Sequence, residues 1–210
     1  MMSIRRVAQV GTLAATLLLP QAAHAQRTDS HTWKIGASAG SMIFQTRTQD
    51  TEVLPSFGAH FLIMASRVGL QVGVDEGFGS DERSGLALFN DLRRYQAVLM
   101  AFPFSSPLEP YFGIGGGVLQ AVGVRVDAVV QDPSDRQDLQ DQFDETSSSG
   151  FMTLMGGIQG RWGRFTAFGQ YQLGTAPSND KLLRGALHSL HGGLRIGLGS
   201  AREGIRAGGY

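Results

Sequence analysis

From residue 33 onward the chain repeats one pattern, with apolar side chains at every second position. The stretches run about as long as a membrane-crossing strand, roughly 9–11 residues. Trp33, Ile35, Ala37 and Ala39 alternate with Lys34, Gly36, Ser38 and Gly40, and Phe57, Ala59, Phe61 and Ile63 with Gly58, His60, Leu62 and Met64. Val68, Leu70, Val72 and Val74 alternate with Gly69, Gln71, Gly73 and Asp75. Tyr95 to Phe104 is apolar on both parities, which leaves its facing open. Further along, Met152, Leu154, Ile158 and Trp162 alternate with Thr153, Gly157, Gln159 and Arg161; Phe165 to Gln172 and Leu190 to Leu198 behave alike. A period of two puts each set on one face of a strand. Helical periodicity is almost absent, so the chain reads as all-β with about eight strands.

The remaining stretch, Leu108 to Gly123, carries four glycines between Gly113 and Gly117. It is not a phosphate loop: no Lys follows Gly117, and the third position of a G-x-G-x-x-G pattern falls on Val118. Phe112, Ile114, Val118 and Val122 instead share one parity, and Gly113, Gly115, Gly117 and Ala121 the other. That is a strand with an oily face and a bare face.

The connections alternate in length. Ser66-Arg67, Ser105 to Pro110 and Gly163-Arg164 are short, whereas Thr46–Val53, Glu76–Asp91, Val124–Ser149 and Gly174–Gly185 are longer and polar. Lys34, Asp75, Arg161 and Arg195, with Gln71 and Gln159, fall on the same face as the glycines. A soluble barrel turns its apolar face inward, and a two-sheet sandwich, the other alternative, fits three close turns opposite four long loops less well. An oily exterior with a charged interior predicts an up-and-down antiparallel transmembrane β-barrel, with short periplasmic turns and long extracellular loops. In an eight-stranded lumen the glycines are packing devices beside larger side chains, and the four charges form a salt-bridged filling. Trp33, Phe102, Phe104, Phe112, Trp162 and Phe165 fall towards the short-turn ends and are read as an interfacial aromatic girdle.

Composition adds export. Arg5 and Arg6, the apolar run Val10 to Leu19, and Ala23-His24-Ala25 before Gln26 spell a secretory signal peptide. The expected organisation is residues 1–25 signal peptide, 26–199 barrel and 200–210 C-terminal tail. The full chain has 18 basic and 18 acidic residues; cleavage near Ala25-Gln26 removes two arginines and leaves a formal −2. That balance gives no reason to expect nucleic acid as a partner. There is no Cys, so stability comes from the fold and not from disulfides.

The architecture resembles the small outer-membrane β-barrels of Gram-negative bacteria, of the OmpA-barrel, OmpX and OmpW type. The likeness is carried by Pro110-Tyr111-Phe112-Gly113-Ile114-Gly115-Gly116-Gly117 and by the strand His191-Gly192-Gly193-Leu194-Arg195-Ile196-Gly197-Leu198. The second segment is similar to the signal read by the outer-membrane assembly machinery, although the family usually ends that signal on a terminal aromatic and here a tail follows. The resemblance implies outer-membrane localisation, contact with outer-membrane lipid and lipopolysaccharide, the barrel-assembly machinery as a partner during insertion, and a monomer.

Two groups invite a chemical reading. Asp132, Asp135, Asp138, Asp141 and Asp144 recur every third residue beside Glu145. Without an EF-hand pattern they read as a solvated acidic loop, with room for a short helix, and not as a metal site. In His188-Ser189-Leu190-His191, Ser189 and His191 share a face. Barrel lipid-A deacylases use Ser and His on one strand, but in the opposite order, and no orienting carboxylate lies nearby in sequence. The expectation is a protein with no catalytic residues, cofactor or metal, whose polar, acidic external loops mediate surface interactions or envelope integrity. A narrow conduit for small solutes and a lipid-modifying enzyme are the alternatives.

Overall fold

The computed structural model describes residues 33–46, 48, 51–130, 132–175 and 182–199; the signal peptide and the tail after Gly199 lie outside them. The strands are β1 (Trp33–Thr46), β2 (Glu52–Ala65), β3 (Val68–Ser84), β4 (Ala87–Ala101), β5 (Leu108–Val122), a short β6 (Arg125–Val126), β7 (Ser148–Trp162), β8 (Phe165–Gly174) and β9 (Leu183–Gly199). One helix, α1 (Pro133–Thr146), lies between β6 and β7. Leaving β6 aside, the strands pair antiparallel in the order β3-β2-β1-β9-β8-β7-β5-β4, and a β3–β4 pairing closes the ring. The result is a closed eight-stranded barrel. Among the described residues no helix is long and apolar enough to cross a membrane, which places no limit on crossing by strands.

The oily parity faces out, as the alternation requires. Ile35, Phe57, Leu70, Val72, Ile114, Val118, Leu154, Leu190 and Leu194 are all exposed large apolar side chains on the outer wall. The bare parity of β5 faces in, and its glycines are needed there. A Cβ on Gly117 would lie 1.8 Å from the Tyr95 carbonyl oxygen, and one on Gly115 2.1 Å from that of Ala97. The backbones of β4 and β5 therefore leave no room for a side chain. Gly156, on the outside of β7, has nothing within 4 Å of such a Cβ.

Three sequence expectations are changed or settled. The stretch Glu76–Asp91 is not a loop: β3 continues to Ser84, β4 begins at Ala87, and Gly85 makes the turn at φ +68°. The hairpin ladder resumes at Glu82↔Phe89 after an irregularity following Phe78↔Asp91, so the wall rises beyond the barrel as a two-stranded projection. Tyr95 to Phe104 also acquires a facing. Tyr95 and Leu99 point out, Gln96, Val98 and Met100 point in, and Phe102 follows them inward at 1 % exposure. Phe102 is therefore not a girdle residue; it packs on Tyr111 with ring centroids 5.6 Å apart. Finally, the acidic segment takes the helical option that its sequence left open beside a loop. Asp132 is its N-cap, accepting from the Ser134 backbone N at 2.9 Å and the Ser134 hydroxyl at 2.6 Å. These bonds hold the Asp132 carboxyl below the usual range, so the cap is intact at neutral pH and is lost as pH falls through that lowered value.

Gly117→Ala is expected to cost roughly 2–3 kcal/mol through overpacking, and Gly156→Ala to be near neutral. Urea unfolding of the refolded barrel, followed by the gel shift between unheated and boiled samples, measures both; equal stability of the two variants contradicts the close β4–β5 approach.

Candidate functional site

The lumen is the part of the molecule where polar side chains are concentrated and enclosed. At the loop-side end it is closed by an apolar cluster that includes Met42, Phe44, Leu54, Phe89, Leu92, Leu119, Phe151 and Leu187, against which Phe143 of α1 packs. Below this plug Arg94, fully buried, donates from Nε and Nη2 to Asp75 Oδ2 at 3.2 and 2.9 Å, and from Nη1 to Ser189 Oγ at 2.9 Å. Gln96 Nε2 adds a third donor to Asp75 Oδ2 at 3.0 Å. Gly58 gives the carboxylate its place, since a Cβ there would lie 2.0 Å from Asp75 Oδ1.

Arg195 organises the short-turn half. Its guanidinium is 0 % exposed and donates from Nε to His60 Nε2 at 2.8 Å, from Nη1 to Gln159 Oε1 at 3.0 Å, and from Nη2 to Gln71 Oε1 at 3.0 Å. Phe168 lies under it, 3.8 Å from its centre to the ring centroid, which is a close cation–π contact. Gln159 Nε2 continues the chain to Glu109 Oε2 at 2.8 Å, and Arg161 Nη2 reaches Glu109 Oε1 at 3.0 Å. An apolar cluster of Leu62, Met64, Val98, Met100, Phe102, Tyr111, Met155 and Phe168 packs around these groups. The two networks and two clusters span β1 to β9, so the interior is a filling and not a tube.

Lys34, Asp75 and Arg195 are buried in the lumen, whereas Arg161 is part-exposed at its short-turn mouth. Asp75 and Arg195 belong to separate networks, and Arg161 meets Arg195 only through Glu109 and Gln159. Asp132, Asp135, Asp138, Asp141 and Asp144 lie on or cap α1, none of them buried. A step of three residues falls short of a turn by about 60°, so the helix fans them around its surface. Among the described residues no three His, Cys, Asp or Glu side chains gather as metal ligands. Trp33, Phe104, Trp162 and Phe165 are exposed near the short-turn rim, while Phe112 is exposed well inside β5. A second aromatic row, unread in the sequence, lies on the outer wall towards the loops: Phe57 on Phe78 with centroids 6.0 Å apart, Tyr95, and Tyr171 bonded to His188.

Arg94 and Glu109 were also missed. Arg94 abuts a segment read as a loop, and Glu109 sits in a segment read as a turn. Ser189 and His191 both point inward, but Ser189 is held by Arg94, and the hydroxyl sharing a 2.9 Å bond with His191 Nε2 belongs to Ser56. Among the described residues His191 Nδ1 has no hydrogen-bond partner, so the described part of this buried pair lacks the carboxylate of a hydrolytic triad.

No family model matches the chain, and no curated protein matches it in sequence. Solved structures do match. The crystal structure of Neisserial surface protein A, NspA, superposes with a TM-score of 0.57 at 13 % identity, over 80 % of this chain and 97 % of that one. This chain has the fold of the small Gram-negative outer-membrane barrels. Two further barrels with this fold are more distant. Ail of Yersinia pestis, solved with the heparin analogue sucrose octasulfate, has a TM-score of 0.43 at 12 % identity over 78 % of this chain and 97 % of its own. The outer-membrane enzyme PagL has a TM-score of 0.44 at 13 % identity over 79 % and 99 %. For an outer-membrane barrel, the closed wall and oily exterior follow from a lipid surround, and the filled lumen from the narrow bore of eight strands.

Arg94→Met strands Asp75 in the lumen and is expected to destabilise by about 3–5 kcal/mol. The double variant Arg94→Met with Asp75→Asn is expected to recover a large part of that loss. A double-mutant cycle in urea measures the coupling; additive losses contradict the pairing.

Proposed function

We propose that this is a non-enzymatic outer-membrane protein that works through what it holds outside the membrane, in surface interaction or envelope integrity. The observation that carries this reading is the lumen. An apolar plug closes its loop-side end, and beneath it two networks anchored on Arg94 and Arg195 occupy the bore. A bore of eight strands is about filled by side chains, so little is left for a diffusing solute. The Ser56–His191 pair is sealed in the same filling, away from lipid and water, which argues against acyl chemistry there.

The loop-side superstructure is built instead. The β3–β4 hairpin rises past the exterior Arg93–Glu76 ion pair of 2.6 Å, β6 extends the edge of β4, and α1 lies over the plug with its acids turned to solvent. Arg136 Nη2 donates to the Val130 carbonyl at 2.6 Å, and Gln140 Nε2 to the Val124 carbonyl at 3.1 Å, so the helix is tied to the segment before it. A barrel that carries the end of one of its two longest strands and a capped helix on its external side presents a shaped, anionic surface.

Two measurements test this reading. In planar bilayers the purified protein is expected to show no unitary current. Replacing Asp135, Asp138, Asp141 and Asp144 together by Asn is expected to change cell-to-surface adherence or serum sensitivity, with the heat-shifted band of the barrel unchanged. Regular conductance steps from the wild type, or phenotypes indifferent to the four substitutions, overturn it.

A further inference from the structure

Between α1 and the tip of the β3–β4 hairpin the loop-side end leaves a recess of 260 Å³. Leu139, Gln142, Phe143 and Thr146, spaced to share one face of the helix, line it from one side, and Leu86 and Leu182 from the other. Its floor continues the plug: Leu182 is buried in that apolar cluster, and Phe143 packs against it. Leu86, in the hairpin turn, is 44 % exposed. The volume falls below the roughly 300 Å³ at which pockets for drug-sized ligands begin. It suits one large side chain carried on a longer segment.

Carboxylates border the recess. Asp135 and Asp138 stand four residues before Leu139 and Gln142, the spacing at which helical side chains are neighbours. Both are exposed, and neither makes an ion pair among the described residues. The arginines described in this superstructure are engaged elsewhere. Arg83 pairs with Asp127 at 2.8 Å, Arg125 donates to Asn90 Oδ1 at 3.0 Å, and Arg136 is tied to the Val130 carbonyl on the other flank of α1.

We propose that this recess docks a cationic segment of a partner protein. One aromatic or large aliphatic side chain enters between Leu86 and Leu139, and lysines or arginines beside it meet Asp135 and Asp138. An apolar hole bordered by carboxylates is complementary to that pattern in both apolarity and charge. A small cation leaves the hole empty, and an uncharged segment leaves the carboxylates unmatched. The assignment rests on the external end being the working surface, and it names the chemistry of what that surface meets.

The test is fluorescence anisotropy on the folded barrel in an uncharged detergent. The probe is a labelled, end-capped glycine peptide with one tryptophan between two pairs of lysines. The wild type is expected to bind it about tenfold more tightly than the same peptide with alanine for tryptophan, the effect of burying one large side chain. Gln142→Trp, which fills the recess and leaves the charges alone, removes that difference. Asp135→Asn with Asp138→Asn weakens both peptides about fivefold. Asp141→Asn with Asp144→Asn takes the same charge from further round the helix and changes both by less than about twofold. The boiling-dependent gel shift certifies each variant as a closed barrel. Equal affinity for the two peptides, or equal effects of the two aspartate pairs, overturns the docking site. So does a wild-type dimer that Gln142→Trp dissolves, which gives the recess to a second copy. In each of those cases adherence that still follows the helix acids leaves the surface-interaction reading standing, whereas channel conductance removes that reading and not the measured binding.

Discussion

In a hydrocarbon surround a backbone N–H or carbonyl without a partner costs several kcal/mol, and most other features of this molecule answer to that constraint. The wall satisfies it by closing, β1 onto β9 and β3 onto β4, so that no edge faces lipid. Closure with eight strands fixes a narrow bore. A narrow bore in turn decides where side chains are allowed, which is why Gly115 and Gly117 sit where β4 leaves less than a carbon's width. The external face inherits the opposite rule. It has to be oily, and the fold keeps long aliphatic side chains there that a soluble protein would bury.

The bore then has to be filled, and polar groups in it have to find each other. Arg195 shows how this is done: three acceptors on three different strands take its N–H groups while Phe168 covers one face of the guanidinium. Asp75 is matched in the same way by Arg94 and Gln96. Such groups add little net stability, because desolvation offsets much of the attraction. Their effect is on geometry, since each arginine ties together strands that are remote in sequence.

The two ends of the cylinder differ because their connections differ. Short turns leave one rim trimmed, with Trp33, Phe104, Trp162 and Phe165 exposed on its outside. The loop-side end continues as a hairpin, an edge strand and a helix above an apolar plug. One end is trimmed to turns and the other is built up, with a filled bore between them.

Facing within a strand is a local property, and the sequence alone carried it. Alternation put Lys34, Asp75 and Arg195 inside and Phe57, Ile114 and Leu194 outside, because a strand turns successive side chains to opposite faces whatever it pairs with. Where both parities were apolar the signal vanished, and Phe102 was assigned to the wrong face until pairing with β5 and the bond from its backbone N to the Arg67 carbonyl set its direction. The polarity of Glu76–Asp91 read as a loop, because polar strands above a membrane lose the apolar alternation on which the reading depends. The partners inside the bore were beyond the sequence altogether. Arg94 meets Ser189 and Ser56 meets His191 across 95 and 135 residues. Those contacts follow from the stagger between paired strands, which is settled only when the sheet closes on itself.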